Sequence, residues 1–368
     1  MNLNNLTYRS QVIYLVNYPR TLFHNHEMEQ VMSMLMSGNL AIKESYQPRL
    51  APGQTAVLSR AGTFVIEDQP YPDCEPNEVI IQLEGCGVCA SNIPVWEGRA
   101  WFNYPLAAGA PGHEGWGEIV AVGDRVYHLR PGQRVACLAT NAFSKYVAVS
   151  AQLVAPLPDS LDGMPFPGEA IGCAMNIFRR SDINRDQTVA IIGAGFLGLL
   201  LVQLAVDAGA RVFVFSRRNS VRALAEKYGA EATFDTEDWL GNANRIRELT
   251  NGGCDRVIEM TGLQFALDAG TEMIAEYGKL IIGGYHQDGM RQIDMQKWNW
   301  RAIDVINAHE RDPRHYIRGI EEGIIAVESG RIRPQELLTH RFDIDQVNDA
   351  FQMMIDRPDG FIKGWIQL

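Results

Sequence analysis

Cysteine is scarce in this sequence. Six of its 368 residues are cysteines (Cys74, Cys86, Cys89, Cys137, Cys173 and Cys254), too few and too scattered for a disulfide scaffold. The opening residues lack a basic segment followed by an apolar one, so no secretion signal is expected. The expected compartment is a reducing cytoplasm, where unpaired cysteines serve metal binding or catalysis. Positive charge is also in short supply. Lys+Arg total 33 against 44 Asp+Glu, a net charge of −11, and no polybasic run appears. That balance argues against a nucleic-acid partner and mainly implies solubility. Charged residues make up 21% and hydrophobic residues 46%, which excludes wholesale disorder. One charge-free run, Gln187 to Val206, is long enough to suggest a membrane span. Gly193, Gly195 and Gly198 punctuate it, so a strand, a tight turn and a buried helix explain it better. No membrane partner is expected.

Repeats and low-complexity segments are absent as well. The length of 368 residues suits two domains. Residues 1–53 read as an N-terminal extension without chemistry. They carry five of the 13 methionines, a weak helical stretch around Met28–Met36, and the breaker Ala51-Pro52-Gly53. From Thr55 to Val154 the pattern is short strands between Gly, Pro and Asp: Ala56–Leu58, Thr63–Glu67, Glu78–Leu83, Gly117–Val122, Arg134–Cys137 and Lys145–Val149. This predicts a β-rich, barrel-like domain. From Gln187 to Asn307 the rhythm becomes strand then helix. Thr188–Ile192, Arg211–Phe215, Arg256–Glu259, Lys279–Gly283 and Asp304–Asn307 read as strands, Phe196–Ala208 and Val221–Tyr228 as helices. Such alternation predicts βαβ units on a doubly wound parallel sheet. In the tail, Tyr316–Ser329 and Asp345–Met354 read as helices, the second capped by Asp343 or Asp345, and Phe361–Gln367 as a final strand.

Gly193-Ala194-Gly195-Phe196-Leu197-Gly198 is a GxGxxG placed between a strand and a helix, the context that makes this motif a dinucleotide-binding loop. Its glycines permit the turn, the approach of a pyrophosphate and close helix–strand packing. The helix N-terminus adds unpaired N–H groups. An NAD site usually has Asp or Glu at the end of the next strand. Ser216-Arg217-Arg218 stands there instead. A hydroxyl and two guanidinium groups suit a 2′-phosphate, so NADP(H) is expected to be preferred, with NAD(H) as the lesser cofactor.

Cys86-Gly87-Val88-Cys89-Ala90-Ser91 contains a CxxC with no second CxxC to complete a zinc knuckle. Gly112-His113-Glu114-Gly115 follows, and later Gly168-Glu169-Ala170-Ile171-Gly172-Cys173. With the nucleotide loop and Asp255-Arg256-Val257-Ile258-Glu259-Met260-Thr261-Gly262, these blocks, in this order, resemble the zinc-dependent medium-chain dehydrogenase/reductase family over about residues 55–368. The resemblance implies an α/β fold: a Rossmann-type doubly wound parallel sheet domain (179–311) plus a β-rich GroES-like barrel catalytic domain (54–178). Residues 312–368 would return to the catalytic domain. It implies zinc in the cleft, a homodimer or homotetramer, and a small-molecule substrate.

Carried over residue by residue, Cys89 and His113 become zinc ligands and Glu114 a ligand or near-ligand with a catalytic role. The remaining position has two candidates. Glu169 lies 24 residues before Gly193, the spacing of the polyol dehydrogenase branch. Cys173 would correspond to the second cysteine of alcohol dehydrogenases. Ser91 would take the alcohol proton. Three departures stand out. Asn92 replaces a common Asp and would bond the ligand histidine through its oxygen, Pro94 stands near a common relay histidine, and Ala170 replaces a common proline. Only Cys137 lies between His113 and Val149, so the lobe that holds a structural zinc is missing and one zinc per chain is expected. Cys86, Cys74, Cys137 and Cys254 read as ordinary thiols.

Two clusters are pocket candidates. Trp96, Trp101, Phe102, Tyr104 and Trp116 lie between ligand segments; Trp298, Trp300, Arg301, His309, Glu310 and Arg311 follow the nucleotide domain. Each can instead be core or subunit interface. Tyr285 and His286 are placed to approach the nicotinamide. The expected activity is zinc-dependent hydride transfer between NADP(H) and a secondary alcohol or ketone that is polyol-, sugar- or cyclitol-like. A zinc alcohol dehydrogenase or aldehyde reductase with Cys173 as ligand, and a non-catalytic nucleotide-binding relative, are the alternatives.

Overall fold

A computed structural model of the chain describes residues 52–287 and 289–368. Almost all of the N-terminal extension, with the helix expected around Met28–Met36, lies outside the described residues.

Short, largely apolar runs build a parallel sheet. Every residue of Thr188–Ile192 is buried. Val189 and Ile191 join one core, Ala190 and Ile192 another, as period-two alternation in a sheet covered on both faces requires. Six strands take part: β8 (Thr188–Ile192), β9 (Arg211–Phe215), β10 (Ala232–Phe234), β11 (Cys254–Glu259), β12 (Ile274–Ile282) and β13 (Asp304–Asn307). All pairings are parallel, in the order β10-β9-β8-β11-β12-β13. The order reverses between β8 and β11, where such sheets open a ligand crevice. The expected strands Thr188–Ile192, Arg211–Phe215 and Asp304–Asn307 are found to the residue.

The charge-free run divides as its glycines require. Its second half is a helix over Phe196–Asp207 whose Leu199, Leu200, Leu201, Val202 and Leu204 are wholly buried. Among the described residues no helix is long and apolar enough to cross a membrane.

The other large sheet has seven strands: β3 (Glu78–Gly87), β4 (Glu114–Val122), β5 (Arg134–Cys137), β6 (Tyr146–Ser150), β7 (Val154–Pro156), β14 (Leu338–Asp343) and β15 (Lys363–Gln367). The first five come from residues 78–156 and the last two from the tail, with β15 antiparallel to β3. A hairpin, β1 (Gly53–Arg60) with β2 (Thr63–Gln69), stands beside them. The helices are α1 (Ile93–Trp96), α2 (Gly168–Ser181), α3 (Phe196–Asp207), α4 (Asn219–Lys227), α5 (Trp239–Leu249), α6 (Gln264–Met273), α7 (Met295–Arg301), α8 (Pro313–Glu328) and α9 (Val347–Asp356). Of the two capping candidates it is Asp343 that forms the box, with Gln346, one turn ahead of α9. Helices α2 and α8 join the lobes: Ile171 and Ile320 share one core with Ala136 and Trp116 of the barrel sheet and Leu199 of the nucleotide domain.

Candidate active site

A cleft of about 610 Å³ runs between the lobes and is lined by both. Its nucleotide end is the turn after β8. Gly193 holds a φ of +103°, which favours glycine. A Cβ on Gly198 would lie 2.2 Å from the Gly193 carbonyl oxygen, whereas one on Gly195 would meet nothing within 4 Å. The loop therefore packs tightly beneath and leaves open ground above, at the start of α3. Phe196, Leu197, Ser216, Arg217 and Arg218 line the same cleft. Ser216 is buried and Arg217 exposed. The Arg218 guanidinium donates to the Phe361 carbonyl of the opposite lobe. Arg222, one helical turn on, is already committed: it donates to the Ser216 carbonyl at 2.6 Å and pairs with Asp235 at 2.7 Å.

The other end of the cleft gathers the metal candidates. Cys89 follows β3, His113 precedes β4 and Glu114 opens it. Their ligand atoms all lie within 4.8 Å of one another. The register brings Gly87 opposite Glu114, and a Cβ there would lie 1.8 Å from Glu114 Oε2, so the strand pair closes over the carboxylate only with glycine. His113 Nδ1 lies 2.9 Å from the Pro111 carbonyl, which leaves Nε2 for the cluster. Asn92 does not bond the imidazole as the resemblance implied; its Nδ2 donates to that same Pro111 carbonyl at 3.2 Å. It supports the histidine through a shared acceptor.

Glu169 and Cys173 sit one turn apart on α2 and face the cleft together. Glu169 Oε2 lies 4.0 Å from His113 Nε2. Cys173 Sγ donates to Glu169 Oε1 at 3.2 Å, and both residues stand outside the Cys89–His113–Glu114 group. Burial, then the Glu169 charge, raises the Cys173 thiol well above its ordinary range, and burial raises the Glu169 carboxyl as well. Ser91 Oγ donates to Cys89 Sγ at 3.2 Å. Burial lowers the His113 pKa, but the hydrogen bond and charge of Cys89, then Glu169 and Glu114, outweigh it and push it up to about 10. An imidazole that holds a proton this firmly stands in a field that favours a cation. A thiol, an imidazole and carboxylates so arranged fit a zinc ion.

Sequence reasoning missed Lys363. Its ammonium is buried, lies 2.8 and 2.7 Å from the two Glu114 oxygens, donates to the Val88 carbonyl at 3.2 Å, and stands 5.0 Å over the Phe196 ring. Glu114, wholly buried, is thus an ion-pair partner as well as a candidate ligand. The other cysteines are free. Cys86, Cys137 and Cys254 are buried and Cys74 half-buried, and burial pushes the Cys137 and Cys254 thiols up to about 12.

The expected aromatic pocket is not where the cleft lies. Trp96 packs on Phe64 and Phe351, Trp116 on Trp365, and Tyr104 donates to the Val95 carbonyl. Trp101 is exposed. None of them, nor Phe102, lines the cleft. The second cluster divides. His309 and Arg311 line the cleft. Trp298 and Arg301 bond the end of α6 at Thr271, Glu310 lies between Arg180 and His315, and Trp300 is exposed. Tyr285 reaches the cleft but His286 does not. His286 Nε2 lies 2.9 Å from Glu259, and that buried carboxylate also accepts the N–H groups of Thr261 and Gly262 at 2.5 and 2.8 Å. Glu259 thereby fixes both loops at the middle of the cleft. Tyr316 was another unread lining residue. Its hydroxyl donates to the Glu310 carbonyl at 3.1 Å, and burial, then Cys173 and Glu169, raise it to about 12.

Comparison with known proteins fits this site. A family model described as zinc-binding dehydrogenase matches residues 197–321, and one described as the alcohol dehydrogenase GroES-like domain matches 75–159. The chain is 25% identical over 324 residues to sorbitol dehydrogenase of Halalkalibacterium halodurans, covering 79% of this chain and 92% of that one. It is 25% identical over 325 residues to D-arabitol-phosphate dehydrogenase of Enterococcus avium, covering 78% and 90%. A solved oxidoreductase of unknown specificity from Escherichia coli superposes with a TM-score of 0.77 at 25% identity, covering 86% of this chain and 99% of that one.

Proposed function

Because the chain belongs to the zinc-dependent medium-chain alcohol and polyol dehydrogenase family, an oxidoreductase family of CH–OH substrates using zinc and a nicotinamide cofactor, we propose that it moves hydride between NADP(H) and a secondary alcohol or ketone of polyol, sugar or cyclitol type. The observation that carries this reading is the convergence of Cys89, His113, Glu114 and Glu169 at one end of a cleft whose other end is the glycine loop. Arg99, Tyr285, His309, Arg311 and Tyr316 in the lining suit a hydroxyl-rich substrate better than an apolar one.

Cys89, His113 and Glu169 would hold one zinc, with Glu114 beside it as a ligand or near-ligand. Bound there, zinc polarises a carbonyl and stabilises an alkoxide. The chain supplies the rest. Ser91, beside Cys89, takes the alcohol proton at its Oγ and passes it to the solvent side of the cleft, since Pro94 carries no titratable group. Lys363 pairs with both oxygens of Glu114 and holds the carboxylate in place. Ser216, Arg217 and Arg218 take the 2′-phosphate. Gln287 Nε2 donates to the Ser91 carbonyl at 3.3 Å, a bond that ties the Ser91 segment to the Tyr285–Gln287 loop, which would hold the nicotinamide. A homo-oligomer formed along β13 is part of the proposal; Asp304, Val305 and Asn307 of this edge strand are exposed, and open edges pair readily.

The test is a panel of polyols, sugars and ketoses with NADP and NAD, run alongside zinc analysis of the purified protein. The expected result is one zinc per chain and a higher kcat/KM with NADP. Zinc-loaded protein that oxidises no alcohol would overturn the reading.

A further inference from the structure

Three guanidinium groups meet at the nucleotide end of the cleft. Arg217 and Arg218 come from the turn after β9. Arg357 comes from the opposite lobe, at the left-handed residue that ends α9. All three line the cleft with Ser216 and Thr236. Arg357 Nε donates to the Met354 carbonyl at 3.1 Å, which fixes the stem of the side chain. Its two terminal nitrogens have no hydrogen bond or ion pair among the described residues, and neither has the Arg217 side chain. Arg218 donates to the Phe361 carbonyl, so it is already in touch across the cleft with the segment that follows Arg357.

Their electrostatics are those of like charges held together. Burial, then Arg357 and Arg217, lower the Arg218 pKa, and only Asp359 opposes this. Partial burial, then Arg217, lower that of Arg357. Cations so placed repel one another until an anion joins them. Arg222 is not one of the group, because Asp235 neutralises it.

We propose that Arg357 is a third arm of the 2′-phosphate site, so that NADP(H) is gripped by arginines from both lobes rather than by the nucleotide domain alone. This rests on the NADP(H) preference put forward above. The ligand chemistry is a phosphate monoester dianion on the adenosine ribose, which planar guanidinium groups bind bidentately.

The test uses the full chain. Dissociation constants for NADPH and NADH are measured by fluorescence titration, and 2′,5′-ADP and 5′-AMP are compared as fragments. Arg357→Ala is expected to weaken NADPH and 2′,5′-ADP by about tenfold or more. NADH and 5′-AMP should change by less than about twofold. Arg357→Lys should recover part of the loss, with both variants unfolding at the wild-type midpoint. Equal losses for both dinucleotides would move Arg357 to the pyrophosphate and overturn the inference, and so would no loss at all. Wild-type protein that binds NADH more tightly than NADPH overturns the cofactor reading itself, a result visible before any variant is compared.

Discussion

Glu114 is wholly buried and Lys363 nearly so, and each neutralises the other at 2.7–2.8 Å. Removing one member of such a pair leaves a charge in a medium that cannot solvate it. Lys363→Met is therefore expected to lower stability by about 3–5 kcal/mol, read from urea unfolding. An unchanged midpoint would mean that Glu114 finds another partner or a proton. A second pair of substitutions separates the ligand candidates. Glu169→Ala should reduce bound zinc and lower kcat/KM by at least the 10–100-fold typical of groups that orient a ligand, whereas Cys173→Ala should keep one zinc per chain. Zinc lost from the cysteine variant alone would reverse the assignment. Cys89, His113 and Glu114 were legible as a set only because the blocks that hold them, each weak alone, together and in order resemble the zinc-dependent family. Lys363 was not, because 249 residues separate it from Glu114 and nothing local marks a lysine as buried.

At the scale of elements, legibility followed the sheet. Apolar runs bounded by glycine and charge gave the strands of the nucleotide domain. Helix α2 was passed over although it carries Glu169 and Cys173. Gly168 and Gly172 break its helical pattern, and glycine inside a helix is usually unfavourable. Here it has a packing reason: a Cβ on Gly172 would come within 3.0 Å of the Ile320 backbone nitrogen, and one on Gly319 within 2.6 Å of the Gly172 carbonyl. The two helices touch backbone to backbone, which no single-chain pattern announces. The turn after β9 shows a different kind of support. Asp235 accepts from the Glu237 N–H at 2.8 Å and pairs with Arg222, which in turn holds the Ser216 carbonyl. The Glu237 bond and then Arg222 hold its carboxyl below the ordinary 3.8. A depressed folded-state pKa gives stability that is full above the unfolded value and lost as pH falls through the folded one. Asp235→Asn should therefore cost stability at neutral pH, with the difference from wild type fading below about pH 3.8. The effect is small because the carboxylate is about a third exposed and salt screens it. Urea midpoints taken across that range would show a constant difference if Asp235 were a mere surface charge.

On the scale of the molecule, the proposed oligomer depends on one open edge. Val305 is 42% exposed in β13, the last strand of its sheet. Val305→Arg is expected to reduce the mass in light scattering to that of a single chain, while the far-UV spectrum stays the same. An oligomer that survives the arginine would place the interface elsewhere. The sequence resolved the two lobes from their strand rhythms, yet it could not show which residues face the space between them, since that depends on how the tail returns. The return has a further consequence, for biosynthesis. The barrel lobe is begun first and finished last: β3 and β4 leave the ribosome early, and β15, with Lys363, follows the whole nucleotide domain. That domain is contiguous in sequence and can fold on emergence. The barrel must wait with Glu114 unmatched. A premature stop between β13 and β15 would thus release a chain whose parallel sheet is complete and whose metal end is unfinished.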